Sequence, residues 1–290
     1  MSSQGGPLIA RLQSRFEAEL GLTPVVAGEL EFYLHGSTET ALDAWLYEVR
    51  STCTTQGVCF LKFEPERGQG QFEIALAPLA DAARAATEIC LLKDIITQTA
   101  TTHNMRADFA AKPLEGEPAS GLHIHLHLAD STSQNLFTKQ DEQMSAPLAH
   151  SLAGLLAWLP ECMPVFAPTE ASYLRFGTGG NTPSTISWGA NNRTVALRLP
   201  DKPHFNKHIE HRVAGADADA QLVVAVLLAA MHDGISAELS LTAPQIYGDA
   251  ALAQYGLATL PKNLEEARRA MQGSTRVARY FNVQDLWPAS

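Results

Sequence analysis

Apolar and polar positions alternate most sharply over residues 120–128, where Leu122, Ile124, Leu126 and Leu128 interleave with His123, His125 and His127. A period of two marks a half-buried strand with two chemically distinct faces. Three imidazoles therefore share one face, where a solvated strand would more usually carry threonine, lysine or glutamate. The run from Val25 to Leu34 is β-rich and predicts a second strand, with Glu29 and Glu31 together on one face. Two further strands, near 58–63 and 71–76, flank a glycine-bearing stretch that predicts a tight turn or bulge.

Helical spacing takes over between the strands. Leu8, Leu12, Phe16 and Leu20 form one apolar stripe that stops at Gly21, and a second helix is predicted over 39–53. Asp81 caps a long helix to residue 102, with Ile89, Leu92 and Ile96 on one face. Residues 147–159 and 219–239 read as apolar helices, the latter buried. Asn263 with Glu266 forms a capping box for a last helix over 265–272. Residues 130–145 read as a polar surface excursion. Thr185 to Trp188 and Thr194 to Leu199 predict a hairpin turning about Gly189–Asn192. With no repeat, linker or low-complexity segment, the pattern predicts one α+β domain over residues 1–290, its antiparallel strands presenting polar faces into a site and its helices packed outside.

Composition narrows the function. A net charge of −10 speaks against a nucleic-acid partner, which needs a basic surface. The longest apolar run, Leu222 to Met231, is too short to span a bilayer. The first residues lack the basic and apolar regions of a signal peptide. Cys53, Cys59, Cys90 and Cys162 show no CxxC pairing, so small buried thiols in a reducing cytoplasm are predicted.

The carboxylates carry the chemistry. Glu29, Glu31, Glu66, Glu73 and Glu210 each sit in an otherwise apolar, β-like segment. A carboxylate turned from such a strand toward a shared interior is expensive unless a cation or arginine compensates it. Magnesium and manganese take oxygen ligands, and an imidazole can join a manganese or less strict magnesium site. Five glutamates with His123 can hold two such ions.

Five ordered blocks then carry a resemblance: Gly28-Glu29-x-Glu31-Phe32-Tyr33-Leu34, Glu66-x-x-x-Gly70-Gln71-Phe72-Glu73, Lys112-Pro113 with Ser120-Gly121-Leu122-His123-x-His125, Trp188-Gly189-x-x-Asn192-Arg193-x-x-x-x-Arg198, and Ile209-Glu210-x-Arg212. Together they resemble the catalytic domain of the glutamine synthetase superfamily over roughly residues 25–280. The resemblance implies an α+β fold with a curved antiparallel sheet forming an active-site funnel. It also implies ATP and two or more divalent cations, Mg²⁺ or Mn²⁺. Glu31, Glu66 and Glu73 would hold the first metal, and Glu29, His123 and Glu210 the second. Arg193 and Arg198 would neutralise the transferring phosphoryl group. Arg175, Arg212 and Gly121 would meet the substrate. His125 and His127 stay undecided between supporting other ligands and lining an adenine pocket.

The blocks also depart from the family. Asn181 stands where glutamine synthetases carry a glutamate that deprotonates ammonium, and an amide cannot accept that proton. Nothing matches the small β-grasp domain that precedes the catalytic domain in the family. Pro118-Ala119 replaces an Asn-Gly beside the substrate, and His127 and His208 replace a serine and an arginine near adenine. The metal and arginine positions match, and the losses lie on the acceptor side. The resemblance therefore implies an ATP-dependent carboxylate-amine ligase that activates a carboxylate, the γ-carboxylate of glutamate by expectation, and joins it to an amine other than ammonia. Small-molecule acid and amine substrates and a homo-oligomer follow as expectations. The alternatives left open are a nucleotide-binding non-catalytic homologue, a phosphotransferase of the same fold, and a glutamine synthetase whose missing domain comes from a second polypeptide.

Overall fold

A computed structural model describes residues 5–138, 144–176, 181–201 and 207–287. Part of the predicted 130–145 excursion, residues 139–143, and the Gly179-Gly180 pair before Asn181 lie outside those residues.

The sheet is organised around β1 (Thr23–His35), which pairs antiparallel with β3 (Gln71–Leu76) on one side and β5 (Leu122–Ala129) on the other. β2 (Phe60–Pro65) lies outside β3, and short β4 (Arg106–Asp108) pairs with the end of β1. Beyond β5 come β8 (Ile209–His211), β7 (Leu197–Leu199) and β6 (Trp188–Ala190), giving the order β2-β3-β1-β5-β8-β7-β6. The alternation is realised as predicted: Val26, Leu30, Phe32, Leu122, Ile124, Leu126 and Leu128 are buried in the core. The opposite face carries the glutamates and histidines.

One predicted pairing is corrected. β6 and β7 are not an antiparallel hairpin; they pair parallel, Trp188 with Leu197 and Ala190 with Leu199. The reason lies in the polar residues between them. Asn192 accepts from the backbone and hydroxyl of Thr194 and donates to the carbonyls of Ile246 and Gly248. Trp188 is likewise held by residues 243–246, through Nε1 to the Ala243 carbonyl and its own carbonyl to Ile246 N. The chain is pinned to that segment before it can fold back, so it loops around and re-enters the sheet in the same direction.

The helices pack against the apolar face. α1 (Gly5–Arg15) runs into a π-helical turn (Phe16–Leu20) that Gly21 closes in the left-handed region, φ 66°. α2 (Glu39–Gln56) and α3 (Ala82–Thr102) follow, capped by the side chains of Thr38 and Asp81. α4 (Ala146–Trp158), a short α5 (Met163–Phe166) and α6 (Ala220–Ser236) build the deepest layer, where Val223 to Met231 is buried throughout. α4 and α6 approach so closely that a methyl at Gly154 would collide with the Ala230 carbonyl, and one at Gly234 with that of His150. α7 (Leu264–Gln272) begins at the predicted Asn263 cap, and α8 (Thr275–Tyr280) and α9 (Val283–Leu286) extend beyond the predicted last helix. One large cluster of buried apolar side chains joins these helices to the sheet. The fold class is the expected α+β, with one parallel pair in an otherwise antiparallel sheet.

Candidate active site

The polar face of the sheet opens into a cavity of about 550 Å³. Strand register builds its floor. Glu73 on β3 lies opposite Glu31 on β1, and His123 on β5 opposite Glu29. His125 on β5 is opposite Glu210 on β8, which is itself opposite Arg198 on β7. Directly paired residues share a face and approach closely, so five strands deliver seven charged or imidazole side chains to one surface.

His123 is the hub. It is 3% exposed, and its Nδ1 lies 3.5 Å from Glu29, 3.9 Å from Glu210 and 4.0 Å from Glu73. Its Nε2 faces Glu31 at 3.9 Å. Each donor atom of Glu29, His123 and Glu210 falls within 4.8 Å of the others, as do those of Glu31, Glu73 and His123. The first group is the set expected for the second metal. The second contains Glu31 and Glu73 as expected for the first metal, with His123 in the place anticipated for Glu66. Glu66 is in neither group: it follows the end of β2, with its backbone N–H bonded to Gln71 O, and lines the cavity from the turn.

Electrostatics test whether a cation fits. Burial, then the charges of Glu29, Glu31, Glu66 and Glu210, push the Glu73 carboxyl well up. Burial also raises Glu66, with Glu31 adding to it. Glu29 escapes this: although burial opposes its charge, His125, 3.0 Å away, and His123 hold it well below the usual carboxylate range. Crowded carboxylates protonate unless positive charge offsets their repulsion. The Nδ1 of His123 is sealed from solvent and makes no hydrogen bond among the described residues. A buried donor nitrogen surrounded by oxygen donors fits magnesium or, with its tolerance of imidazole, manganese.

Guanidiniums line the same cavity. Glu210 is 1% exposed and paired with Arg198 at 2.7 Å and with Arg212. Burial opposes its charge, but Arg212, the two histidines and Arg198 bring its pKa down to about 2. Arg198 also donates to Asn191 Oδ1 at 2.9 Å. Arg212 reaches the carbonyls of Arg193 and Asn181, tying both segments to β8. Arg175 is buried at the end of a 3₁₀ turn, Glu170–Arg175, and donates to the carbonyls of Arg212 and Val213. Arg175, Arg193, Arg198, Arg212 and Asn181 all line the cavity.

Gly121 joins the floor through its backbone, donating to Glu31 Oε2 at 2.6 Å. A methyl there would collide with Arg175 Nη2 and His123 Nε2, so a side chain at this position would displace one of them. His208 lines the cavity, edge-on to His125 with ring centroids 5.0 Å apart. His127 does not reach the cavity wall: farther along β5, paired with Val25, it is held down to about 4 by burial.

Three residues quoted in the sequence blocks were given no role there. Tyr33 Oη donates to Pro118 O at 2.9 Å and Gln71 Nε2 to Ala119 O at 3.0 Å. Lys112 Nζ donates to Glu117 O. Together they fix residues 117–119, which include the Pro118-Ala119 pair. The signal was available, since Tyr33 continues the Glu29, Glu31 face and Gln71 shares that of Glu73.

An open mixed sheet that gathers carboxylates, imidazoles and arginines in one cavity, with helices behind it, defines an α+β domain built to bring anions and cations together. The chain belongs to the glutamine synthetase catalytic-domain family, whose pattern matches residues 37–285. It is 35% identical over 250 residues to a gamma-glutamylputrescine synthetase of Escherichia coli (strain K12), covering 76% of this chain and 53% of that protein. It is 32% identical over 261 residues to a gamma-glutamylethanolamide synthetase of Streptomyces coelicolor, covering 90% of this chain and 54% of the relative. The chain thus spans about half the length of the curated relatives it matches. Among solved structures, a GmaS complex with ADP superposes with a TM-score of 0.86 at 25% identity, over 97% of this chain and 70% of that one.

Proposed function

We propose that the chain is an ATP-dependent carboxylate-amine ligase, activating the γ-carboxylate of glutamate as an acyl phosphate and condensing it with an amine other than ammonia. The observation that carries the reading is the single cavity in which two carboxylate-imidazole groups face Arg175, Arg193, Arg198 and Arg212. Activating a carboxylate with ATP brings two anions together, which requires positive charge placed beforehand. Relatives named for putrescine, ethanolamine, methylamine and isopropylamine products or substrates support the amine class.

In this mechanism Arg175 and Arg212 orient the acid. Its γ-oxygen attacks the terminal phosphorus of ATP in line, and ADP leaves with the electron pair. Arg193 and Arg198 bind the transferring phosphoryl group. Glu29, His123 and Glu210, with Glu31, Glu73 and Glu66, would hold two magnesium or manganese ions, which supply charge neutralisation when bound. The amine nitrogen then attacks the acyl carbon, the carbon–oxygen bond to phosphate breaks, and the nitrogen loses a proton. Asn181 cannot take that proton, so an amine that arrives unprotonated, or a base other than residue 181, is required. Action as a homo-oligomer in the cytoplasm belongs to the same proposal, and the four free cysteines are compatible with a reducing compartment.

The test is incubation with ATP, magnesium or manganese, glutamate and hydroxylamine, following ADP and hydroxamate. Hydroxylamine is largely unprotonated at neutral pH and traps an acyl phosphate without a base. Hydroxamate that is lost in Arg198→Ala is the expected result. ADP release without hydroxamate favours a phosphotransferase, and nucleotide binding with neither product overturns the ligase reading.

A further inference from the structure

Arg175 sits at the end of a six-residue turn, so its reach into the cavity depends on where that turn rests. The turn opens with a reciprocal cap. Ser172 N donates to Thr169 Oγ1 at 3.2 Å, and Thr169 N to Ser172 Oγ at 3.0 Å. The Ser172 hydroxyl keeps its own proton for a partner outside the turn, donating to Asp217 Oδ2 at 2.5 Å.

Asp217 belongs to the segment that continues β8 past Glu210 and Arg212. That segment therefore receives the turn at two points, the Arg175 guanidinium on the carbonyls of 212 and 213 and the Ser172 hydroxyl on residue 217. The two anchors set the register between Arg175 and the segment bearing Glu210 and Arg212.

The carboxylate is a costly way to make this contact. Its Oδ1 is sealed from solvent and has no hydrogen-bond partner in any other described residue. Burial raises its pKa, partly offset by Ser172, its own backbone N–H, Lys93 and Arg175. Lys93 on α3 spends its own ammonium on the Ala216 carbonyl at 2.9 Å. A partly buried carboxylate with one sealed oxygen unpaired costs more to hold than an apolar side chain of the same shape. What it adds is a fixed acceptor for Ser172.

We propose that Asp217, acting through Ser172, is a positioning residue that sets where Arg175 meets the carboxylate of the donor acid. The proposal rests on reading Arg175 as a group that binds that acid. The test is calorimetric binding of glutamate, with ADP and magnesium present, to the chain and its variants, alongside ADP binding alone. Asp217→Ala and Ser172→Ala are expected to weaken glutamate binding at least about tenfold, because displacing a positioning arginine by a fraction of an ångström is costly. ADP binding is expected to change less than about twofold, and Asp217→Asn, whose amide oxygen still accepts from Ser172, to restore most of the glutamate affinity. In an Arg175→Ala background, Asp217→Ala should add less than about twofold, since both act through one group.

Loss of packing alone would lower the folded fraction without separating the two ligands or depending on Arg175. If Arg175→Ala weakens glutamate binding and Asp217→Ala does not, the positioning role is overturned while the functional reading stands. If Arg175→Ala changes nothing, or the parent chain binds no glutamate, the reading of Arg175 itself falls.

Discussion

His123 turns its two ring nitrogens toward different carboxylates, Nδ1 to Glu29 at 3.5 Å and Nε2 to Glu31 at 3.9 Å. One imidazole thereby stands between both candidate metal groups. Its replacement should disturb both, whereas a glutamate variant disturbs one. His123→Asn is expected to weaken manganese binding by more than the about 10- to 100-fold that loss of an outer-shell partner costs. Titration of manganese followed by electron paramagnetic resonance reads this directly. Two classes of site lost together in His123→Asn, and one in Glu73→Gln, is the expected pattern.

Glu210 and Arg212 are both nearly sealed, with side chains 1% and 7% exposed. Removing one partner of a buried pair strands the other's charge. Arg212→Met is therefore expected to cost about 3 kcal/mol, at the lower end of the usual range because Arg198 still faces Glu210. The double variant Glu210→Leu/Arg212→Met should recover much of that stability while abolishing nucleotide turnover. Urea midpoints of the single and double variants decide the point. A double variant as unstable as the single one would show that the loss is packing and not charge.

The candidate site was legible because its chemistry is written in a period of two. Glu29 and Glu31, or His123 and His125, announce one face of a strand, and antiparallel register then brings Glu73, His123 and Glu210 together without further information. The β6–β7 pairing was not legible, because its direction is fixed by Asn192 and Trp188 bonding to residues 243–248, contacts separated by about fifty positions in sequence. Glu66 and His127 mark the other limit. Glu66 lines the cavity from a turn but outside both carboxylate-imidazole groups, and His127, two residues beyond His125 on the same strand, is not among the residues lining it, distinctions that residue type alone does not make.

Histidines held neutral by burial make stability depend on pH. Burial lowers His127 to about 4, and burial with His123 and Arg175 lowers His211 to about 3. An unfolded histidine titrates at about 6.5, so between these values the unfolded chain binds more protons than the folded one. Stability from these groups is fully present above that unfolded value and is lost as pH falls toward the folded ones. His127→Gln should reduce proton uptake on unfolding by about one proton near pH 5. Urea denaturation at a series of pH values gives the slope, and a slope unchanged by the substitution would exclude His127 as its source.

Asn181 faces the cavity, and its backbone carbonyl accepts from Arg212 Nη2 at 3.4 Å. Its side chain stands where the resemblance places a proton-accepting glutamate. Asn181→Glu restores a carboxylate at a point already tied to the arginine wall, so it should favour the acceptor that most needs a base. Ammonium is protonated at neutral pH and must lose a proton before it attacks. The variant is expected to raise ammonia-dependent ADP release by about 10- to 100-fold, below the full contribution of a positioned base because the surrounding loop did not evolve around it. Release driven by hydroxylamine, which needs no base, should change little. Parallel assays with the two nucleophiles separate the outcomes: an equal rise in both would mean that residue 181 acts on carboxylate activation, not on the amine.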